Sequence, residues 1–502
     1  MARKQALPKI CIALGLPDLK SLLEEAHREA SAGEPFLEFR LDYLEHPERG
    51  AEAIAAFLRD FPECILLATC RRHQNHGKFN GSTDDQLRIL SLAVENGAHA
   101  FDVEIETAEV SIEKIAVLRA RAQLIVSYHN YETTPQLDPI LKRLKRIPAD
   151  AYKLVTTARK PSDTGRILQC GRADPRFPMV VLAMGETGFP SRVLAPAFGS
   201  LFTYAAPLSS EGTAAGQVSA RQLRHLYRAE KLTKFAKVYG VVADPVRHSI
   251  SPAVHNRAFQ ARRIDAAYLP FLVAAGQLSD FLVFADLASV AGFSVTIPHK
   301  RSMVRLLDHI DPLAKRIGAV NTVWRKAGKW RGANTDVAGV LTPLARHLRL
   351  NKASVLIVGN GGAARGAACA LADAGAKLSL TGRNPDRIRS LARFCGGTAI
   401  SRDEAGRAMF DCLVHATPMG MFPHADQSFF DGPVPANIVF DMVYNPRETL
   451  LLKQAKDQGK IVIPGIEMFI EQAVKQFEIW TGETAPRALM LKAAEEALEH
   501  KL

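Results

Sequence analysis

The sequence predicts an α/β protein of two consecutive units, an N-terminal (β/α)8 TIM barrel and a two-lobed unit that contains a Rossmann nucleotide-binding domain. Three observations predict this. The chain has 502 residues, which is too long for a single hydrophobic core. A short apolar run followed by a helical pattern recurs about eight times before residue 230. Further along, residues 355–375 read as a strand, a glycine-rich turn and a helix.

The eight apolar runs of the first half are rich in β-branched residues. They read KICIAL, FLEFRLD, CILLATC, AFDVEIE, LIVSYHN, AYKLVTT, MVVLAM and LFTYAA. Runs that are apolar on both faces and alternate with helices are typical of parallel strands covered by helices. Eight such units within about 220 residues indicate a barrel. We assign it to residues 1–232.

Composition narrows the possible partners. The net charge of +12 suits an acidic metabolite, an anionic surface or nucleic acid. No long Lys/Arg block is present, which argues against nucleic acid. The sequence contains no run of eighteen apolar residues, so we expect no membrane-spanning segment and no membrane partner. The start MARKQALPKICIAL lacks the long apolar core of a signal peptide, and the seven cysteines form no CxxC pair. We therefore expect a cytoplasmic protein with reduced thiols and no metal site.

Two polar residues stand out on neighbouring barrel strands. Lys153 lies inside AYKLVTT, and His129 lies near the end of LIVSYHN. The carboxyl ends of barrel strands carry the active site. A desolvated lysine amine can attack a ketone to form an imine, and a nearby histidine can act as general base. A lysine at a barrel rim can also simply extend to solvent, but the adjacent histidine and several arginines favour the chemical role.

The first half resembles type I 3-dehydroquinate dehydratase across nearly the whole barrel. The matching segments are ExR at Glu38–Arg40, the Arg71 loop, SYHN, YK, GFPSR ending in Arg192, and TAAGQ with Thr213 and Gln217. The resemblance implies that Lys153 forms a Schiff base with the substrate ketone and that His129 moves the protons. It implies substrate binding by Glu38, Arg40, Arg71, Arg192, Thr213 and Gln217.

One position departs from that family. Asn75 stands where the family has a glutamate that orients the catalytic histidine. An amide can accept a hydrogen bond from imidazole but carries no charge to stabilise imidazolium. We therefore expect His129 to be a weaker base, or to be supported by another carboxylate such as Asp102.

The glycine-rich turn of the second half indicates a dinucleotide site. Gly359, Gly361 and Gly362 form the turn, and Ala364 fills the usual third-glycine position. Such glycines let the backbone approach a pyrophosphate at a helix N-terminus. The next strand, KLSLTGR, ends in Arg383 rather than an acidic residue. A cation there suits the 2′-phosphate of NADP, although an arginine that is merely exposed after a strand would give the same pattern.

Polar clusters also precede this turn. Lys300 in SVTIPHK and Asp336 in GANTD form a plausible acid–base pair for proton movement coupled to hydride transfer. Ser249 and Ser251 in HSISP precede a helix, where hydroxyls serve more often as helix caps than as ligands.

The ordered motifs HSISP, SVTIPHK, GAVNT, GANTD, GNGGAARG, ATPMGM and GIEMFIEQA resemble shikimate dehydrogenase over about residues 237–500. The resemblance implies a substrate lobe at 237–340 plus about 471–502 and an NADP-binding lobe at 341–470. It implies that Lys300 and Asp336 are catalytic. The implied substrate ligands are Ser249, Ser251, Thr296, Asn321, Tyr444 and Gln472. The residues assigned to NADP(H) are Gly359, Gly361, Gly362, Ala363, Ala364, Arg383, Asn384, Thr417, Met419 and Gly465.

The two resemblances predict consecutive reactions, because the product of the first family is the substrate of the second. The first half would dehydrate 3-dehydroquinate to 3-dehydroshikimate, and the second would reduce 3-dehydroshikimate to shikimate with NADPH. Ser294 and His415 replace family asparagines, and Ser294 leaves quinate open as a substrate of the second half. Three further hypotheses stay open: a second half that prefers NAD, a weakened dehydratase, and a ligand sensor that has lost catalysis.

Overall fold

The computed structural model describes residues 5–172, 174, 176–208, 212–213 and 216–499. Contacts divide the chain into two compact units. The first comprises Met1–Val238 and Asp265–Val290, and the second comprises Tyr239–Ile264 and Ala291–Leu502.

Eight parallel strands form the sheet of the first unit. They are β1 (Ile10–Leu14), β2 (Phe36–Arg40), β3 (Ile65–Thr69), β4 (Ala100–Glu104), β5 (Gln123–Asn130), β6 (Ala151–Thr157), β7 (Met179–Met184) and β8 (Thr203–Ala205). Their order is β7-β6-β5-β4-β3-β2-β1-β8. The Leu201 N–H donates to the Met179 carbonyl at 2.8 Å beside the remaining gap. The predicted barrel is confirmed.

Helices follow the strands around this sheet. They are α1 (Leu19–Ser31), α2 (Pro47–Asp60), α3 (Thr83–Glu95), α4 (Ile105–Val110), α5 (Ile112–Arg119), α6 (Leu137–Leu144), α7 (Pro161–Arg172) and α8 (Phe189–Leu194). A capping box sets the start of α3, because the Ser82 hydroxyl accepts from the Asp85 N–H and the Asp85 carboxylate accepts from the Ser82 N–H. Most strand residues are buried because helices cover their outer face and side chains fill the interior.

A second, mixed sheet follows in the chain. Its elements and their neighbours are β9 (Lys237–Ala243), α9 (Ser251–Ala261), β10 (Ala266–Leu272), α10 (Leu278–Leu287), β11 (Val290–Val295), β12 (His309–Ile310), α11 (Pro312–Ile317), β13 (Thr322–Lys326), β14 (Lys329–Ala333) and α12 (Asp336–Ala345). In the second unit β9 is followed across the sheet by β11, β13, β14 and β12. The β11–β13 and β13–β14 pairs are antiparallel.

The stretch with β10 and α10 belongs to the first unit, where α10 packs on α7. The Ser162 N–H and hydroxyl both donate to Asp280, at 2.8 and 2.7 Å. A Cβ on Gly165 would lie 2.8 Å from Leu287 Cδ1, so the glycine allows the two helices to approach closely.

The remaining elements form a parallel sheet with helices and a C-terminal helical pair. They are β15 (Ser354–Val358), α13 (Gly362–Asp373), β16 (Lys377–Thr381), α14 (Pro385–Cys395), β17 (Thr398–Ala399), α15 (Arg402–Arg407), β18 (Phe410–His415), β19 (Ala436–Asp441), α16 (Leu450–Asp457), β20 (Ile461–Ile463), α17 (Gly465–Thr481) and α18 (Arg487–Glu499). The order β17-β16-β15-β18-β19-β20 is that of a Rossmann fold. Ligands of such sheets bind where the strand order reverses, between β15 and β18.

Helix α17 packs against the mixed sheet. The Trp480 ring stacks on Tyr239 with 5.4 Å between centroids, and its Nε1–H donates to the Val323 carbonyl at 3.1 Å. These contacts hold the side chains of α17 beside β13. Among the described residues, no helix has both the length and the apolar character needed to cross a bilayer.

Candidate active sites

A cavity of about 470 Å³, open to solvent, lies at the carboxyl ends of the barrel strands. The structure brings all eight dehydratase-type residues to its wall: Glu38, Arg40, Arg71, His129, Lys153, Arg192, Thr213 and Gln217. Ala214 and Ala215 of the TAAGQ motif lie outside the described residues. Tyr131 and Tyr204, which the sequence did not single out, also line the cavity.

Lys153 is buried on β6. Its Nζ donates to Asp102 Oδ2 and to the Tyr204 hydroxyl, both at 2.9 Å. Asp102 also accepts from the Ser127 hydroxyl at 2.6 Å and from Arg71 at 3.2 Å. Burial alone would raise the pKa of Asp102, but the Lys153 ammonium and the Arg71 guanidinium outweigh it and lower that pKa. Asp102 is therefore a stable counter-ion of the amine.

His129 is held in its neutral form. Arg71 Nη1 donates to His129 Nε2 at 2.9 Å, so Nε2 accepts and the ring proton resides on Nδ1. Burial, followed by the charges of Arg71 and Lys153, lowers the pKa of His129 well below its usual value. His129 Nδ1 has no hydrogen-bond partner among the described residues. A neutral imidazole can accept a proton from a bound substrate at Nε2 once the Arg71 hydrogen bond to that nitrogen is released.

Neither expected support of His129 forms a hydrogen bond with it. Asp102 bonds Lys153 and Arg71 instead. The Asn75 amide donates to Glu106 at 3.0 Å, and its Oδ1 has no partner among the described residues.

The arginines make the cavity suitable for a carboxylate. Arg40 forms a bidentate pair with Asp42 at 2.9 and 2.8 Å. Arg192, on α8, is only 2% exposed, and burial lowers its pKa to about 10. A buried guanidinium gains most from an anionic ligand, because pairing offsets its lost hydration.

A larger cavity of about 1340 Å³ lies in the second unit. The structure brings all eight dehydrogenase-type substrate and catalytic residues to its wall: Ser249, Ser251, Thr296, Lys300, Asn321, Asp336, Tyr444 and Gln472. Two of the cofactor-type residues, Ala363 and Gly465, also line it. The other residues assigned to NADP(H) follow strands β15, β16 and β18, at the carboxyl edge of the Rossmann sheet.

Lys300 and Asp336 meet in this cavity. Lys300 Nζ donates to Asp336 Oδ2 at 2.6 Å, and Asn321 Nδ2 donates to Asp336 Oδ1 at 2.7 Å. Asn321 is fixed in turn, because its Oδ1 accepts from the Thr335 N–H at 2.8 Å. This ion pair can hold or transfer a proton next to a substrate hydroxyl.

The turn between β15 and α13 fits a dinucleotide. Gly359 has φ +125°, and a Cβ there would lie 2.8 Å from the Ala416 carbonyl oxygen, so only glycine fits. A Cβ on Gly361, Gly362 or Gly366 would meet nothing within 4 Å, which leaves room for a ligand at the N-terminus of α13.

Arg383 and Asn384 follow β16 at the same edge. Arg383 is exposed. The Asn384 side chain accepts from the Arg387 N–H at 3.1 Å and thereby caps α14. Asn384 thus has a structural role in addition to the predicted one.

Thr417 and Met419, which are half-buried, connect to a buried polar network after β18. The Thr417 hydroxyl lies 2.6 Å from His415 Nε2 and accepts from the Met419 N–H at 3.2 Å. His415 Nδ1 lies 2.9 Å from Asp441, which also accepts from the Thr449 hydroxyl at 2.6 Å. His415 therefore fixes the loop that carries Thr417 and Met419, two of the predicted cofactor residues.

Sequence reasoning missed two further residues for different reasons. Tyr204 lies in the apolar run LFTYAA, which is typical of a core strand. Only closure of the barrel brings its hydroxyl to Lys153. Gln476 was detectable, because it lies one helical turn after Gln472 on α17. It accepts from the Ser294 hydroxyl at 2.9 Å and donates to the Asn321 carbonyl at 3.2 Å.

The comparisons with known proteins cover both units. The family model of type I 3-dehydroquinase matches residues 10–234. The shikimate dehydrogenase substrate-binding domain matches residues 241–323, and the shikimate 5′-dehydrogenase C-terminal domain matches residues 465–495.

Individual relatives agree with these matches. The chloroplastic bifunctional 3-dehydroquinate dehydratase/shikimate dehydrogenase of Arabidopsis thaliana is 34% identical over 505 residues, which cover 96% of this chain and 83% of the relative. The NADP+ shikimate dehydrogenase of Gloeothece citriformis is 36% identical over 53% of this chain and 98% of its own length. A shikimate dehydrogenase crystallised with NADP+ is 33% identical, with a TM-score of 0.51 over 53% of this chain and 97% of that one. The chain therefore belongs to the bifunctional 3-dehydroquinate dehydratase/shikimate dehydrogenase family.

Proposed function

We propose that this chain catalyses two consecutive steps: dehydration of 3-dehydroquinate to 3-dehydroshikimate, and NADPH-dependent reduction of 3-dehydroshikimate to shikimate. The observation that carries the proposal is the presence of two chemically different cavities, one with a buried amine among arginines and one with a Lys300–Asp336 pair. The substrates are small molecules, and the absence of a nucleic-acid partner stays a prediction.

In the barrel, Lys153 attacks the ketone and forms an imine, which serves as the electron sink. His129 removes the proton from C2, which its depressed pKa allows because the ring is neutral at physiological pH. His129 then returns a proton to the departing hydroxyl. Arg192 binds the substrate carboxylate. Glu38, Arg40, Arg71, Thr213 and Gln217 hold the remaining oxygens.

In the second unit, NADPH supplies the hydride when it is bound. The Lys300–Asp336 pair delivers the proton to the carbonyl oxygen that becomes a hydroxyl. Ser249, Ser251, Thr296, Asn321, Tyr444 and Gln472 bind the ring substituents. The open helix N-terminus beside Gly361 would hold the pyrophosphate of the cofactor, and Arg383 would hold its 2′-phosphate.

The proposed domains are a barrel at 1–232, a substrate lobe at 237–340 plus about 471–502, and an NADP lobe at 341–470. A cytoplasmic location is proposed from the seven unpaired cysteines, whereas the Arabidopsis relative is named chloroplastic.

Borohydride reduction in the presence of 3-dehydroquinate tests the barrel assignment. A stable adduct at Lys153, identified by peptide mass, is expected. No adduct on the natural protein would defeat the Schiff-base assignment. The second assignment is tested by comparing 3-dehydroshikimate reduction and quinate oxidation with NADP(H) and NAD(H). Faster turnover of quinate with NAD+ would overturn the proposed substrate and cofactor.

A further inference from the structure

The Lys153 ammonium has three oxygen neighbours, and one of them bridges to a second carboxylate. Nζ donates to Asp102 Oδ2 and to Tyr204 Oη at 2.9 Å, and it lies 3.9 Å from Glu38 Oε1. The last distance is too long for a hydrogen bond. The Tyr204 hydroxyl in turn donates to Glu38 Oε1 at 3.4 Å. Tyr204 therefore lies between the amine and Glu38.

Imine formation requires that the ammonium lose a proton, because only the neutral amine is a nucleophile. Asp102 is a poor acceptor, since its pKa is lowered: burial opposes this, but two cations outweigh the burial. Glu38 differs in its surroundings. Its hydrogen bonds within the described residues come from two neutral hydroxyls, Thr69 at 2.7 Å and Tyr204 at 3.4 Å. Glu38 is thus better placed to take the proton.

We propose that Tyr204 is a catalytic residue of the dehydratase site and carries a proton from the Lys153 ammonium to the Glu38 carboxylate; this rests on the proposed Schiff-base role of Lys153. An N–H bond of Lys153 breaks as an O–H bond forms on Tyr204, while the original Tyr204 proton moves to Glu38. The products are a neutral amine, a neutral tyrosine and a glutamic acid.

The same path restores the charges later in the reaction. After the amine attacks the ketone and the proton shifts within the adduct, a neutral carbinolamine is present. The proton stored on Glu38 returns through Tyr204 to the carbinolamine hydroxyl, which leaves as water. The products are a protonated imine on Lys153 and an ionised Glu38.

The Tyr204 hydroxyl suits a relay. A phenol can donate and accept a hydrogen bond at once. Burial, followed by the charge of Glu38, raises the pKa of Tyr204, so the hydroxyl keeps a proton at neutral pH. The 3.4 Å separation from Glu38 is long, but catalytic hydrogen bonds commonly tighten when substrate binds.

The test is the rate of adduct formation with 3-dehydroquinate and borohydride in Tyr204→Phe, at neutral and at alkaline pH. Phenylalanine keeps the ring, which packs against Lys153 Nζ at 4.4 Å from its centroid. The matched control is Tyr152→Phe, because the Tyr152 hydroxyl is also buried but donates to the Ile147 carbonyl at 2.7 Å. The other titratable or charged groups around the amine are unchanged in both variants: Glu38, Asp102, Arg71, His129 and Cys11.

We expect adduct formation in Tyr204→Phe to fall about 100-fold at neutral pH, a typical loss for proton-transfer catalysis. Most of the loss should disappear at alkaline pH, where hydroxide removes the proton. Tyr152→Phe should keep the natural rate. A natural rate in Tyr204→Phe would overturn the proposal. An equal loss at both pH values would also overturn it, because a hydroxyl that only orients Lys153 has no such pH dependence.

Glu38→Gln provides a second, independent variant that leaves Tyr204 in place. The double variant Glu38→Gln/Tyr204→Phe should form the adduct as fast as the slower of the two single variants, because both substitutions interrupt the same proton path. Multiplied losses would contradict the relay. Absence of an adduct in the natural protein would instead defeat the Schiff-base function itself, so the two failures are distinguishable.

Discussion

His255 is buried on α9 beside the ring of Trp480, with 5.2 Å between centroids. Burial lowers the pKa of His255 to about 3, whereas an unfolded histidine titrates near 6.5. The folded state therefore resists protonation of this group. Its contribution to stability is complete above the unfolded pKa and is lost as the pH falls from about 6.5 toward 3.

This predicts an acid sensitivity of the second unit that depends on one residue. Between pH 7 and pH 5 the natural protein should lose about 2 kcal/mol more unfolding free energy than His255→Gln, which cannot titrate. Urea unfolding followed by tryptophan fluorescence measures this, because Trp324, Trp330 and Trp480 all belong to the second unit. Equal losses in the two proteins would contradict the prediction.

Asn75 leads to a second prediction at the same scale. A glutamate there would face the Glu106 carboxylate, which now accepts from the Asn75 amide at 3.0 Å. We therefore expect Asn75→Glu to lower dehydratase kcat/KM by a few-fold through like-charge repulsion. Adding Glu106→Gln should restore the rate. An increase in Asn75→Glu alone would show that the glutamate finds His129 despite Glu106.

Catalytic residues could be predicted from the sequence where a polar side chain interrupts an apolar strand. Lys153 and His129 are polar residues at the ends of apolar strands, and parallel strands bring such ends together. The pairing of Lys153 with Tyr204 could not be predicted, because it depends on closure of the barrel, which brings β8 beside β7 and within reach of β6. The Asn75–Glu106 contact joins the segment after β3 to the first turn of α4 and leaves no spacing signal.

At the scale of elements, the turn from β15 to α13 contains two glycines that are needed for different reasons. Gly359 has a left-handed backbone and touches the residue after β18, whereas Gly361 has ordinary φ and an open surrounding. Gly359 is therefore required by the fold and Gly361 by the ligand.

This distinction predicts different outcomes for two alanine variants. Gly359→Ala should destabilise the second unit by about 1–3 kcal/mol, the usual strain of a forced backbone. Gly361→Ala should leave the unfolding midpoint unchanged but raise the KM for NADPH several-fold, since the methyl group occupies space for the pyrophosphate. Urea unfolding and steady-state kinetics measure both. Equal effects of the two substitutions would contradict the distinction.

Strand and helix patterns were enough to predict the barrel and the Rossmann domain. Helix α10 was less predictable. Its buried residues Leu278, Phe281 and Phe284 are spaced three apart and form one apolar face. The sequence does not reveal that its partner is α7, because that contact depends on a small residue, Gly165, far away in the chain.

At the scale of the whole molecule, each unit has its own cavity and its own lysine–carboxylate pair. The two activities should therefore be lost separately. Lys153→Ala should lower dehydration at least about 1000-fold, as loss of a covalent nucleophile does, and leave reduction of 3-dehydroshikimate intact. Lys300→Ala should do the reverse. Separate assays of each step check this, and a joint loss in folded protein would contradict it.

The most direct test of the two-enzyme account is a single incubation of the natural protein with 3-dehydroquinate and NADPH, followed by product identification. We expect NADPH oxidation after a short lag, with shikimate formed in the same amount as NADPH consumed. Accumulation of 3-dehydroshikimate without NADPH oxidation, or no consumption of 3-dehydroquinate, would contradict it.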